Sequence, residues 1–145
     1  MKKGNQMNNA NVLMVDEKYQ SYPEGIRDKL LSLRQLVIDV SKKIDLPAQV
    51  QETINANEPS FVVDGGSPIR IDWKSHTPNQ YAMYFQCKTK LVDTFKELYD
   101  DTFRFDDDKG IVFTVDDDIA TRELAHCISL SLRYHQIKHL PLLGV

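Results

Sequence analysis

Cysteine is scarce in this 145-residue chain, with Cys87 and Cys127 the only two. Two thiols cannot build the dense disulfide framework that holds small secreted domains together. No CxxC pair is present to suggest a zinc ribbon or a dithiol redox centre. Tryptophan occurs once, as Trp73, and glycine six times. Those glycines form neither a phosphate-cradling loop nor a nucleophile elbow. Long apolar runs are also missing. No stretch approaches the roughly 20 apolar residues of a transmembrane helix. The longest early run, Val12 to Val15, is shorter than the apolar core of a secretory signal. Neither sign of charge dominates, since 18 Lys and Arg face 21 Asp and Glu for a net charge of −3. A nucleic-acid partner usually leaves a basic face, so none is expected. These absences predict a cytoplasmic protein with reduced thiols and no membrane association.

What is present suits one globular domain. A chain of this length buries roughly 70% of its unfolded surface, so no metal or disulfide is required for folding. Residues 1–15 are polar and aperiodic and read as a disordered tail, with a single domain over residues 16–145. After Tyr22-Pro23, Ile26, Leu30, Leu33, Val37, Val40 and Ile44 recur at gaps of four and three, the stripe of an amphipathic helix. Residues 48–57 carry a weak pattern that allows a short helix. Phe61-Val62-Val63, the turn residues Asp64 to Ser67 and the alternating Ile69 to Lys74 predict a hairpin. In it, Ile69, Ile71 and Trp73 face one way, and Arg70, Asp72 and Lys74 the other. Tyr81 to Cys87 follows as a third strand, and Thr89 caps a helix carrying Leu91, Val92, Phe95, Leu98 and Tyr99. A second hairpin spans Thr102 to Val115 around the turn Asp106 to Gly110. The last helix starts near Asp117 or Asp118 and runs to Pro141. The expected fold is α+β: a small, mainly antiparallel sheet of about five strands, two hairpins plus one, flanked by N-terminal, middle and C-terminal helices.

Tyr22-Pro23, Leu33-Arg34, Glu52-Thr53, Glu58-Pro59-Ser60-Phe61, Ile69 to Lys74, Tyr81 to Cys87, Leu91-Val92, Cys127-Ile128 and Tyr134 to Lys138 follow one another in a distinctive order. In that order the chain resembles the YdhG-like family of domains of unknown function, over about residues 16–140. Where that family commonly has Trp-Gly, this chain has Ala56-Asn57. Some members are described as frataxin-like iron chaperones. The resemblance therefore implies iron binding and delivery to an iron-accepting partner.

Three groups of residues are candidates for chemistry. Asp106-Asp107-Asp108 and Asp116-Asp117-Asp118 flank one hairpin and offer the hard oxygen ligands that ferrous iron, Mg²⁺ or Ca²⁺ accept. Weakly bound iron would sit on Asp106, Asp107, Asp108, Asp116 and Asp117; against this, turn and helix-cap roles already account for aspartate there. His135 and His139 have the spacing of a two-histidine metal site, but His135 also falls on the apolar stripe, as a buried, hydrogen-bonded histidine would. His126 reads as exposed. Trp73, Tyr84, Arg70 and Cys87 form the third group, a surface for a small-molecule ligand or a protein partner if one face of the sheet is open. Cys87, just before a helix N-terminus, is also the one candidate nucleophile, but no base adjoins it in sequence, so catalysis is not expected.

Overall fold

Helix α1 (Asn9–Ser21) runs through residues that composition assigns to a tail ending near residue 15. The computed structural model describes residues 9–145, so residues 1–8 of that tail lie outside the described residues. The helix hangs on a narrow seam rather than a full stripe. Val15 and Tyr19, four residues apart, are 1% and 2% exposed, while Leu13 and Met14 face water. Asn11 fastens its start, donating from Nδ2 to the Glu52 carbonyl at 2.9 Å. After Pro23, helix α2 (Glu24–Lys43) buries Ile26, Leu30, Leu33, Val37 and Val40, as their spacing predicts. Ile44, the sixth member of the stripe, lies just past the helix end and is half-buried.

The weak segment before Phe61 is a strand, not a short helix. Strands β1 (Gln51–Asn55) and β2 (Glu58–Val62) pair antiparallel. Ala56 and Asn57 join them with φ of 54° and 65°, the two positive angles of a type I′ hairpin. Strands β3 (Ile69–Asp72) and β4 (Gln80–Tyr84), helix α3 (Leu91–Tyr99), and strands β5 (Arg104–Asp106) and β6 (Gly110–Thr114) follow. The sheet thus has six strands, one more than expected, in the order β1-β2-β3-β4-β6-β5, with every pairing antiparallel.

Alternation along the strands gives the sheet two unlike faces. Phe61, Ile69, Ile71, Tyr81, Met83, Phe85, Ile111 and Phe113 lie on one, each at most 4% exposed, and join the buried helix residues in a single core. Ser60, Arg70, Asp72, Ala82, Tyr84, Asp106 and Val112 lie on the other. Tyr84 and Val112 sit on inner strands yet are only half-buried. A helix lying across them would bury both, so this part of the face is open among the described residues.

Helix α4 (Thr121–Leu132) begins later and ends sooner than the sequence suggests. Asp117 closes a turn instead of capping the helix: its Oδ2 accepts the Thr114 N–H at 2.9 Å. The helix stops because the β2–β3 turn takes over its last carbonyls. Ser67 N–H donates to the Ser131 carbonyl at 2.8 Å, and Ser131 Oγ donates back to the Ser67 carbonyl at 3.1 Å. Gly66 allows the approach, since a Cβ there would stand 2.6 Å from the Leu132 carbonyl oxygen. A separate single turn, α5 (Tyr134–Ile137), and a 3₁₀ turn at Pro141–Gly144 complete the chain.

Candidate functional site

The open face acquires its chemistry from strand register. Arg70 is paired with Ser60 on one side and Tyr84 on the other. Glu58, two residues before Ser60, shares their face. Lys74 Nζ donates to Asp72 Oδ2 at 2.8 Å and to Glu58 Oε2 at 3.1 Å. Arg70 Nε lies 3.4 Å from the other Glu58 oxygen. Behind this group, Tyr22 donates its hydroxyl to Asp72 Oδ1 at 2.6 Å. Two carboxylates, two cations and a phenol therefore form one continuous network.

The electrostatics follow from these contacts. The hydrogen bond to Asp72, with that to Glu58 behind it, holds the Lys74 ammonium well above the usual lysine range. Burial first, and the Asp72 carboxylate second, keep the Tyr22 hydroxyl protonated far above the usual phenol range. Tyr84 is raised by burial, with Lys74 pulling the other way. The Lys74 Nζ lies 5.8 Å from the centre of the Tyr84 ring, within reach of a cation–π attraction.

Two depressions meet at Tyr84. One, of about 340 Å³, is lined by Glu58, Arg70, Tyr84, Cys87 and Lys109 among others. The other, of about 200 Å³, lies between Trp73, His76 and Tyr84. Lys74 and Asp106 line both. Trp73 is fixed at the rim: its Nε1 donates to the Pro78 carbonyl at 3.0 Å, and its ring meets Tyr22 edge-on at 6.4 Å. A larger depression of about 420 Å³ lies at the far end of β6, lined by Asp101, Arg104, Asp117 and Asp118. Its charged residues are exposed turn and strand-end residues, set above the buried Phe103 and Phe113. The Asp117 carboxyl there is lowered by its hydrogen bonds from Thr114, which is the behaviour of a solvated turn.

The candidates named from sequence are thus separated. Tyr84, Arg70 and Cys87 converge on one face, with Cys87 exposed at its rim. Trp73 borders the same face rather than the opposite one, because β3 ends at Asp72 and its alternation does not extend to Trp73. The acids do not converge. Asp106 ends β5, Asp107 (φ 47°) and Asp108 make the turn, and Asp116 and Asp117 stand beyond the far end of β6. His135 and His139 share no helix, because α4 breaks at Arg133 and α5 ends at Ile137. His135 is exposed rather than buried on a stripe, and His139 is exposed too. Among the described residues, no group of three or more His, Cys, Asp or Glu is placed to hold a metal ion. His126, which reads as exposed in the sequence, is half-buried, with Nδ1 at 2.6 Å from the Tyr99 hydroxyl.

Glu58, Asp72, Lys74 and Lys109 belong to the open-face site without having been named as site residues. The alternation of Ile69 to Lys74 already places Asp72 and Lys74 beside Arg70. Glu58 needed the β1–β2 hairpin, which shows no periodic signal. Lys109 needed the pairing of β4 with β6, where the Phe85 N–H donates to the Lys109 carbonyl at 2.8 Å.

Fold and site together define a class: an α+β domain whose six-stranded antiparallel sheet has one core face and one open, polar-aromatic face. Within that class the chain is similar to a crystal structure of a Bacillus subtilis protein of the DUF1801 family, YdhG. The TM-score is 0.61 at 12% identity, over 81% of this chain and 86% of that one. At this identity the likeness is one of fold, and the fold is YdhG-like, as the sequence resemblance implies. No protein-family model and no curated protein sequence matches the chain. Among the described residues, no helix is long and apolar enough to cross a membrane.

Proposed function

We propose that this domain is a small-ligand-binding module whose site is the open sheet face around Tyr84, working without catalysis and without a resident metal. The observation that carries this reading is the convergence of Arg70, Lys74 and Glu58 beside a half-buried aromatic ring where two depressions meet. Concave sites with an apolar floor and a few convergent polar groups are the usual form of small-molecule sites. The cytoplasmic location expected from the sequence belongs to the same reading.

Trp73 provides the assay. As the only tryptophan, and a wall of the smaller depression, it reports occupancy through its emission. A library of small aromatic fragments screened by Trp73 emission and melting temperature should yield saturable binders. Tyr84→Ala should weaken them at least tenfold while the domain stays folded. A library without binders, or binders indifferent to Tyr84→Ala, would sink the proposal. Ferrous iron is titrated in parallel under anaerobic conditions. Saturable ferrous binding that resists excess Mg²⁺ and disappears when Asp106, Asp107, Asp108, Asp116 and Asp117 become Asn would assign the function to the acidic turns instead, with delivery to an iron-accepting partner.

A further inference from the structure

We infer that the Arg70 depression receives the acidic group of a small aromatic oxyanion, a carboxylate or a phosphate monoester. Arg70 is the fork that binds the acid, and the Tyr84 ring is the surface beneath the aromatic part. This inference rests on the ligand-binding reading and adds the chemical class of the ligand.

The two cations of the network are not equivalent. Lys74 already commits two of its three donors to carboxylate oxygens, at 2.8 and 3.1 Å. The nearest carboxylate contact of Arg70 is through Nε, 3.4 Å from Glu58, longer than an ordinary hydrogen bond. Its guanidinium can therefore still present the planar, bidentate fork that suits carboxylate and phosphate. The Arg70 side chain lines the depression and is 37% exposed, so it is reachable by a ligand from solvent.

Size agrees with that assignment. Arg70, Lys74 and Lys109 balance Glu58, Asp106 and the Asp72 that pairs with Lys74, so the local sum is neutral and the acidic group is met by the Arg70 fork rather than by an excess of positive charge. Arg70 and Tyr84 are direct cross-strand partners. Side chains so paired have Cβ atoms about 4.5–5.5 Å apart, so a ligand on the Tyr84 ring lies within reach of the guanidinium. At about 340 Å³ the space lies near the lower end of ligand sites, roughly 300–1,000 Å³, and it admits one ring and one acidic group with room to spare.

Glu58 is the group such an anion must compete with, and that fixes the sign of the test. Phenyl phosphate, benzoate, benzyl alcohol and benzylamine are titrated into the full-length protein by calorimetry and Trp73 emission. The two acids should bind, with the alcohol and the amine at least tenfold weaker; the stronger acid identifies phosphate or carboxylate. Arg70→Ala should abolish the preference, and Arg70→Lys should restore it only in part. Glu58→Gln, which removes a like charge at contact distance, should tighten acid binding about fivefold. Asp106→Asn should act in the same direction, and it serves if the Glu58 variant does not fold. Benzyl alcohol binding as well as benzoate would overturn the oxyanion assignment while leaving the binding site standing. A preference for benzylamine, weakened by Glu58→Gln, would do the same with the opposite sign. If none of the four binds but another fragment does, the class is wrong; if nothing binds, both readings fall.

Discussion

Replacing Tyr22 with Phe deletes one hydroxyl and little else. The ring keeps its edge contact with Trp73 at 6.4 Å and its place under Lys18, whose Nζ lies 4.9 Å from the ring centre. What goes is the 2.6 Å hydrogen bond to Asp72. Asp72 is 6% exposed and Tyr22 4%, so water cannot readily replace the lost donor, and the carboxylate is left with Lys74. Hydrogen bonds to charged groups contribute about 1.5–3 kcal/mol. In a domain of this size each kcal/mol moves the melting temperature by about 2–4 °C, so Tyr22→Phe should lower it by about 3–12 °C at pH 7. The pH dependence supplies a second reading of the same contact. The Tyr22 pKa is raised in the folded state by burial and by Asp72. Its contribution is therefore full below the unfolded phenol value of about 10 and declines as pH rises beyond it. The variant should show a shallower alkaline loss of stability than the parent. Paired with Lys74→Met, it should be clearly non-additive, because both changes act on Asp72. Melting curves by circular dichroism from pH 7 to 11 decide the matter. A shift below about 2 °C, the size of a surface substitution, with an unchanged alkaline slope, would refute this account of the network.

Other expectations follow from single contacts. Gly110→Ala places a Cβ against the Met83 carbonyl oxygen and 2.9 Å from the Tyr84 Cα, where the backbone of β4 cannot give way; the cost should be about 1–3 kcal/mol, read by urea unfolding. His126 has its pKa lowered, chiefly by burial and then by Arg133, so stability should fall as pH drops below about 6.5. His126→Gln should flatten that limb of the pH profile. Native alkylation with iodoacetamide should modify exposed Cys87 alone and reach Cys127 only after unfolding. Cys127 is fully buried and its thiol is held far above the usual range by desolvation; mass spectrometry of native and denatured samples checks this.

The parts of the fold legible in the sequence are those with repeated apolar signals. Helix α2 presents five buried side chains at regular spacing, and β3 alternates cleanly between Ile69, Ile71 and the polar residues between them. Strand β1 sends Glu52 and Ile54 to one face and polar residues to the other, so period-two alternation never rises above a loop. It is a strand because Ala56 and Asn57 turn it back on β2 and Asn11 secures it from α1. Helix α1 is invisible for a similar reason: Val15, Tyr19 and the following Tyr22 bury themselves amid polar neighbours. The site divides the same way. Arg70, Trp73 and Tyr84 stand out as strand residues with chemistry. Of the carboxylates that organise them, Asp72 lies two residues from Arg70 on the same strand, while Glu58 lies 12 residues away and meets it only through register. His135 and His139 share no helix because a helix can be ended from outside, by another segment's hydrogen bonds, with no breaker at the break.

That external ending of α4 has a consequence for the order of folding. Ser67 and Ser131, which exchange hydrogen bonds, lie 64 residues apart. A ribosome adding about 5–20 residues per second takes roughly 3–13 s to make the intervening chain. Throughout that interval the β2–β3 turn has no carbonyls to dock on, and the apolar stripe of α2 lacks α4, against which it packs. The nascent protein therefore carries the α4-facing side of its 20-residue helix α2 uncovered until α4 is made. Its exposure to aggregation, and to the chaperones that prevent it, is concentrated in synthesis rather than in the finished fold.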